Sequence, residues 1–110
     1  MTRVLAEAYC QQLAEIGVNA TTDPGKASVP GVLFEPGPQR FDLNFGHTAV
    51  MSAVLIVPAP FNAAAWQALD DLTDQVTQIL PAQDSEPTEV QIANRTGGLP
   101  ARRLTWEEAV

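Results

Sequence analysis

The chain has 110 residues, 13 acidic against 6 basic side chains, a formal net charge of −7 and one cysteine. That length fits a single domain around one core, and an apolar share of 45% argues against wholesale disorder. The acidic balance disfavours nonspecific nucleic-acid binding through a broad basic surface, and the lone Cys10 excludes an intrachain disulfide or a cysteine-based zinc finger.

The opening residues are polar and lack the apolar centre of a signal peptide. No stretch approaches the roughly 20 apolar residues of a bilayer span. The expectation is a soluble protein made in a cytoplasm. A first helix is predicted from Thr2 to Ile16, capped by Thr2, with Leu5, Ala8, Tyr9, Leu13 and Ile16 as its apolar face and Gly17 as its left-handed end. Cys10 falls in this helix as a buried or half-buried thiol. A short strand is expected within Val18–Thr22. Asp23-Pro24-Gly25-Lys26 is a turn signature. A second strand lies within Val29–Glu35, led in by Pro30-Gly31, and Pro36-Gly37-Pro38 forces another turn.

Phe41, Leu43 and Phe45 alternate with Asp42 and Asn44, the period of a half-buried strand. Gly46-His47 separates it from the next element, so the two are expected to pair as an antiparallel hairpin. That next element is the clearest in the chain. Ala49 to Val57 is apolar in both alternation classes, broken only by Ser52, and Pro58-Ala59-Pro60 stops it. It reads as a strand covered on both faces.

Asn62 then caps a helix whose stripe is Ala65, Leu69, Leu72, Val76 and Ile79, with Pro81 at its end. Phe61 and Trp66 stand where a hydrophobic staple would put them, and Trp66 is expected in the core, fixing this helix to the sheet. Asp70, Asp71 and Asp74 read as a solvated outer face. Ala82–Thr88 reads as an acidic loop, Val90 and Ile92 as a late strand, and Thr96–Pro100 as a loop. Arg102–Trp106 reads as a last short strand or an extended tail, and Glu107–Val110 as fraying.

The resulting fold class is α+β. It is a mixed, mainly antiparallel sheet with two helices packed on it, in the order α-β-β-β-α-β-β, as a single domain over 1–110 with 101–110 a possible tail. Two helices cover one sheet face well but not both. The doubly apolar strand therefore points to a second subunit on the other face, with a sheet curled around its own loops as the rival.

No catalytic or metal constellation emerges. His47, the single histidine, has no nucleophile beside it, and Gly97-Gly98 lacks the lysine, hydroxyl and helix of a phosphate loop. Arg95, Arg102 and Arg103 put half of the basic residues near the C-terminus, suiting ionic subunit contacts. Trp106 either packs back on the core or docks on a neighbour.

The opening helix with Leu5, Leu13 and Gly17, the Pro/Gly-rich Thr22–Gly37 segment, the Ala49–Val57 strand, the capped helix with Trp66, Leu69, Leu72 and Val76, and the strand around Val90–Ile92 form a familiar order. Over most of its length the chain resembles the tail terminator proteins of long-tailed phages, particularly small members from phages of actinobacteria. The resemblance implies a structural virion protein without enzymatic activity, cofactor or metal. It implies a hexameric ring that caps the head-proximal end of the tail tube. The partners it implies are the tail tube protein and a head-closure or connector protein, while genome DNA passes through the channel without specific binding. It also implies location in the virion neck, assembly in the host cytoplasm and no membrane contact.

The family has no motif to transfer position by position. The candidate interface residues Arg40, Arg95, Arg102, Arg103 and Trp106 are therefore read from charge and placement. An acidic channel wall is expected, and charge reversal at Arg102 and Arg103 is expected to impair assembly while sparing the subunit's own stability. Two other readings stay open. One is a different neck ring, such as a head-closure protein. The other is a small ligand-binding or regulatory α+β domain, marked by a closed apolar pocket and a monomeric or dimeric state. An enzyme ranks last.

Overall fold

A computed structural model describes residues 2–35, 39–42, 46–58, 62–90 and 98–109. Among these the order is helix α1 (Thr2–Glu15), strand β1 (Ala20–Thr21), a short 3-10 turn (Pro24–Lys26), β2 (Gly31–Glu35), β3 (Gln39–Asp42), β4 (Gly46–Ile56), helix α2 (Ala63–Val76), β5 (Asp84–Val90) and β6 (Leu99–Ala109). The class is α+β. The sheet is mixed and mostly antiparallel, in the order β1-β2-β4-β6-β5 with β3 also paired to β4.

Local chemistry sets the boundaries. Gly17 has φ +82°, and the Val18 amide donates to the Leu13 carbonyl at 3.0 Å while Gly17 donates to Ala14 at 3.1 Å. This paired closure, with Val18 buried beside it, is the usual glycine-ended helix stop. Asp23 Oδ1 accepts from the Gly25 amide at 2.9 Å and holds the turn before β2. Gly31 opens β2 because a Cβ there would collide with the Ser28 carbonyl. Asn62 caps α2, its Oδ1 accepting from the Ala65 amide at 3.0 Å.

β4 is the spine of the sheet. It pairs antiparallel with β2 along one edge and with β6 along the other, from Thr48↔Ala109 to Ile56↔Ala101. Its first residues also pair with β3, in the hairpin expected, although Gly46 and His47 belong to the strand rather than to a turn. Leu43 and Phe45 lie outside the described residues. Both helices pack on the same face. Ala6, Tyr9 and Leu13 of α1 and Ala65, Leu69, Leu72 and Val76 of α2 meet Val32, Phe34, Met51, Ala53, Leu55, Leu104 and Trp106. On α1 the buried face is narrower than expected, since Ala8 and Ile16 are exposed.

The opposite face has its own apolar cluster of Leu33, Val54, Ile56, Leu99 and Ala101, with Val29 and Val90 against it. Val54 and Ile56 are fully buried within one chain. The double burial of β4 is thus met inside the subunit at these positions, and it does not call for a second subunit there.

The C-terminal third departs most from expectation. The acidic stretch read as a loop is β5, an edge strand. Residues 102–106 are strand rather than tail, and β6 runs on through Glu107 and Glu108 to Ala109, where fraying was expected. Most of β6 lies between β4 and β5, so both of its edges are hydrogen-bonded. Pro87 is tolerated in β5 because an edge strand has one unpaired side. Ile92 lies outside the described residues.

Candidate functional site

Strand alternation sends Arg102 and Arg103 to opposite faces of the sheet. Arg102 points to the helix side. Its Nη1 donates to Thr73 Oγ1 at 2.9 Å and its Nη2 to Asp70 Oδ1 at 3.0 Å, tying β6 to α2. Arg103 points the other way and bridges two strands, donating from Nε to Glu35 at 3.2 Å and from Nη1 to Glu86 at 3.4 Å. The hydrogen bond to Glu35 raises the already high pKa of its guanidinium. The two arginines therefore form no common basic patch. Arg40 lies in β3 opposite Thr48, with its side chain outside the described residues, as is all of Arg95.

Trp106 is 2% exposed and belongs to the core, whereas Trp66 is 70% exposed, so the expected core tryptophan is a surface residue. The reason is angular. At about 100° per residue, Trp66 stands a quarter-turn off the stripe that starts at Ala65. Phe61, its expected staple partner, lies outside the described residues. Trp106 packs edge-on to Tyr9 with centroids 5.9 Å apart, and Tyr9 stacks on Phe34 at 6.3 Å. The Tyr9 hydroxyl donates to Glu108. Burial, then that hydrogen bond and the carboxylate's charge, push the Tyr9 pKa up to about 12. Burial, with Glu7 nearby, also raises the Cys10 thiol.

A groove of about 660 Å³ lies between α2 and the β6–β5 edge. α2 contributes Asn62, Ala65, Trp66 and Leu69, and the floor and far bank include Pro87, Pro100, Arg102 and Glu86. It arises because α2 packs over β4 and β6, leaving the helix side of β5 open. Asp70 and Thr73 share the α2 flank with Trp66 and clamp Arg102 beneath it, so Asp70 is an ion-pair partner rather than part of a merely solvated face. Asp71 and Asp74 remain exposed.

The groove can hold an apolar or aromatic group against Trp66, Leu69 and the two prolines, with the Asp70–Arg102 pair beside them. Nothing in the sequence pattern marks it, because it needs the β5–β6 pairing. The one local signal is the position of Trp66 off the apolar stripe. Among the described residues no three His, Cys, Asp or Glu side chains gather into a metal site, and no helix is long and apolar enough to cross a membrane. No protein-family model and no curated protein matches the chain.

Proposed function

We propose that the chain is a tail terminator subunit. In this reading it closes into a hexameric ring at the head-proximal end of a tail tube, stops tube growth and presents a surface to the head connector. Its work is assembly, with no turnover and no cofactor. It is made in the host cytoplasm and ends in the virion neck.

Support comes from the resemblance in size and element order, with which the α+β fold is compatible. The observation that carries the reading furthest is the surface tryptophan beside an open groove. Trp66 is 70% exposed on a rigid, capped helix, and large aromatics in such positions are characteristic of protein contacts. A cyclic ring repeats one contact around its circumference, so a subunit needs only two complementary patches. The excess of acid suits a channel wall that repels DNA phosphate, whereas acids gathered on the outer rim would serve solubility alone.

Arg102 and Arg103 enter this reading differently from the sequence-based expectation. Each is engaged by carboxylates of its own chain, so reversing their charge perturbs the subunit before any interface. The test is electron microscopy of tail tubes polymerised with and without the protein. Tubes should carry a ring at one end and stop at uniform length. Tubes that elongate freely and stay bare would refute the reading, and a ring found on the head vertex instead would favour a head-closure role.

A small-ligand-binding domain is the second reading; the groove's volume falls within the range of ligand pockets, although it is open where that reading expects a closed pocket. That reading requires a protein that stays monomeric or dimeric in the presence of tail tubes.

A further inference from the structure

We infer that copies of this chain join head to tail through the sheet, the outer edge of β3 in one copy pairing with the last residues of β6 in the next. The inference rests on the ring reading above and names the contact that closes the ring.

Strand lengths create the surface. β4 and β6 have 11 residues each, whereas β3 has 4 and β5 has 7. β3 pairs only with the first residues of β4, and the β5 ladder stops at Asp84, opposite Thr105. Among the described residues this leaves a three-stranded ledge, β3 with residues 46–49 and 106–109, open along both sides. Backbone alternation says which groups face outward. The Thr105 carbonyl accepts from the Gln83 amide at 2.9 Å, so Glu107 and Ala109, at a period of two, turn their backbone groups to the same open side. The Glu107 amide is met there by Gln83 Oε1 at a long 3.4 Å. Residues 104, 106 and 108 therefore bond to β4, which leaves Gly46 and Thr48 to bond Asp42 and Arg40 of β3. Gln39 and Phe41 then present their backbone groups on the outer edge of β3.

The occupant is a second copy because one chain supplies both halves of the contact. β3 and β6 each run antiparallel to β4, so they run parallel to each other. Rotation about an axis along the strands keeps that sense and brings β3 of one copy alongside β6 of the next. Two different edges make a heterologous contact, the kind that closes into a ring. Charge agrees with this pairing. Arg40 is in register with Thr48 and Glu107 with Val50, so the two fall in one alternation class, and Glu107 is exposed. The joined edges thus bring opposite charges together across the strands. The other edges suit strand addition poorly. β1 has 2 residues, and β5 carries Pro87, which lacks a donor, among Asp84, Glu86 and Glu89.

The experiment is disulfide trapping in the full chain, with Cys10→Ala throughout. Arg40→Cys and Glu107→Cys are made separately and mixed under oxidising conditions, in solution and on tail tubes. Ala109→Cys is a second position in the same alternation class as Glu107. Within one chain β4 separates positions 40 and 107 by two strand spacings, about 9–10 Å, beyond the reach of about 7 Å for a disulfide. A linked pair therefore reports two copies. The mixture should give a linked dimer and each variant alone far less. The Arg40→Cys/Glu107→Cys double variant should give a ladder ending at six. Glu107→Pro removes an outward amide that β4 does not use, so it should abolish assembly while circular dichroism shows a folded chain. Linkage by one variant alone as readily as by the mixture would make the contact two-fold and overturn the inference. So would normal assembly by folded Glu107→Pro. Rings seen by native mass spectrometry that neither pair of positions links would overturn this contact and leave the ring reading standing. Monomers in every sample would overturn both.

Discussion

Replacing each tryptophan by alanine should separate their roles sharply. Trp106 is 2% exposed and Trp66 is 70% exposed. A buried aromatic removes about 150–250 Å² from water, which at about 25 cal/mol/Å² is roughly 4–6 kcal/mol. Alanine recovers a small part of this and leaves a cavity beside Met51, Leu104 and Tyr9, so Trp106→Ala should cost about 3–5 kcal/mol. The edge-on contact with Tyr9 at 5.9 Å is lost as well. Trp106 Nε1 has no hydrogen-bond partner among the described residues, so Trp106→Phe also removes a buried donor and should cost less than half as much. Trp66→Ala should change stability by no more than about 0.5 kcal/mol. Urea titration followed by circular dichroism reads all three, and with a slope of about 1–2 kcal/mol/M the Trp106→Ala midpoint should fall by about 2 M or more, or the protein should not fold. Equal losses at the two positions, or a larger loss at Trp66, would refute this placement of the core.

Three further outcomes follow. Arg102→Glu should cost about 1–2 kcal/mol and lower the thermal midpoint by several degrees, because it sets a carboxylate against Asp70 and removes the donor that the Thr73 hydroxyl accepts from; adding Asp70→Lys should restore part of the loss. Tyr9 has its pKa raised, so between about pH 10 and about pH 12 the folded chain keeps a proton that the unfolded chain releases. Stability should therefore be intact below that window and fall as pH rises through it, and Tyr9→Phe should flatten the fall in alkaline denaturation curves. Asn62→Ala should cost about 1 kcal/mol in thermal melts and Asn62→Ser much less, since serine can still accept from the first turn.

The sequence was most legible where one residue dictates local geometry. Gly17, the Asp23 turn, Asn62 and the 65-69-72-76 stripe all do what their chemistry requires. β4 was legible as doubly buried because both alternation classes are apolar. The cause of that burial was not, since it lies in the pairing of β4 with β2 and β6 and in the distant residues Leu99 and Ala101. β5 was illegible for a physical reason. Asp-Ser-Glu-Pro-Thr-Glu has poor strand propensity, and only pairing with β6 makes it a strand.

The separation of Arg102 from Arg103 could have been read from strand alternation had residues 99–109 been taken as one strand. The position of Trp66 off the stripe was readable by angle alone, and the pairing of hydrophobic neighbours around Asn62 obscured it. The groove depends on how three consecutive elements, α2, β5 and β6, pack together, so only its aromatic post had a local signature.

The central claim is that this subunit works as a ring at the end of a tube. Native mass spectrometry of the protein, alone and after mixing with its tail tubes, tests it most directly. A hexamer should appear in at least the mixed sample, since some rings close only on their partner. A monomer or dimer in both samples would contradict the account.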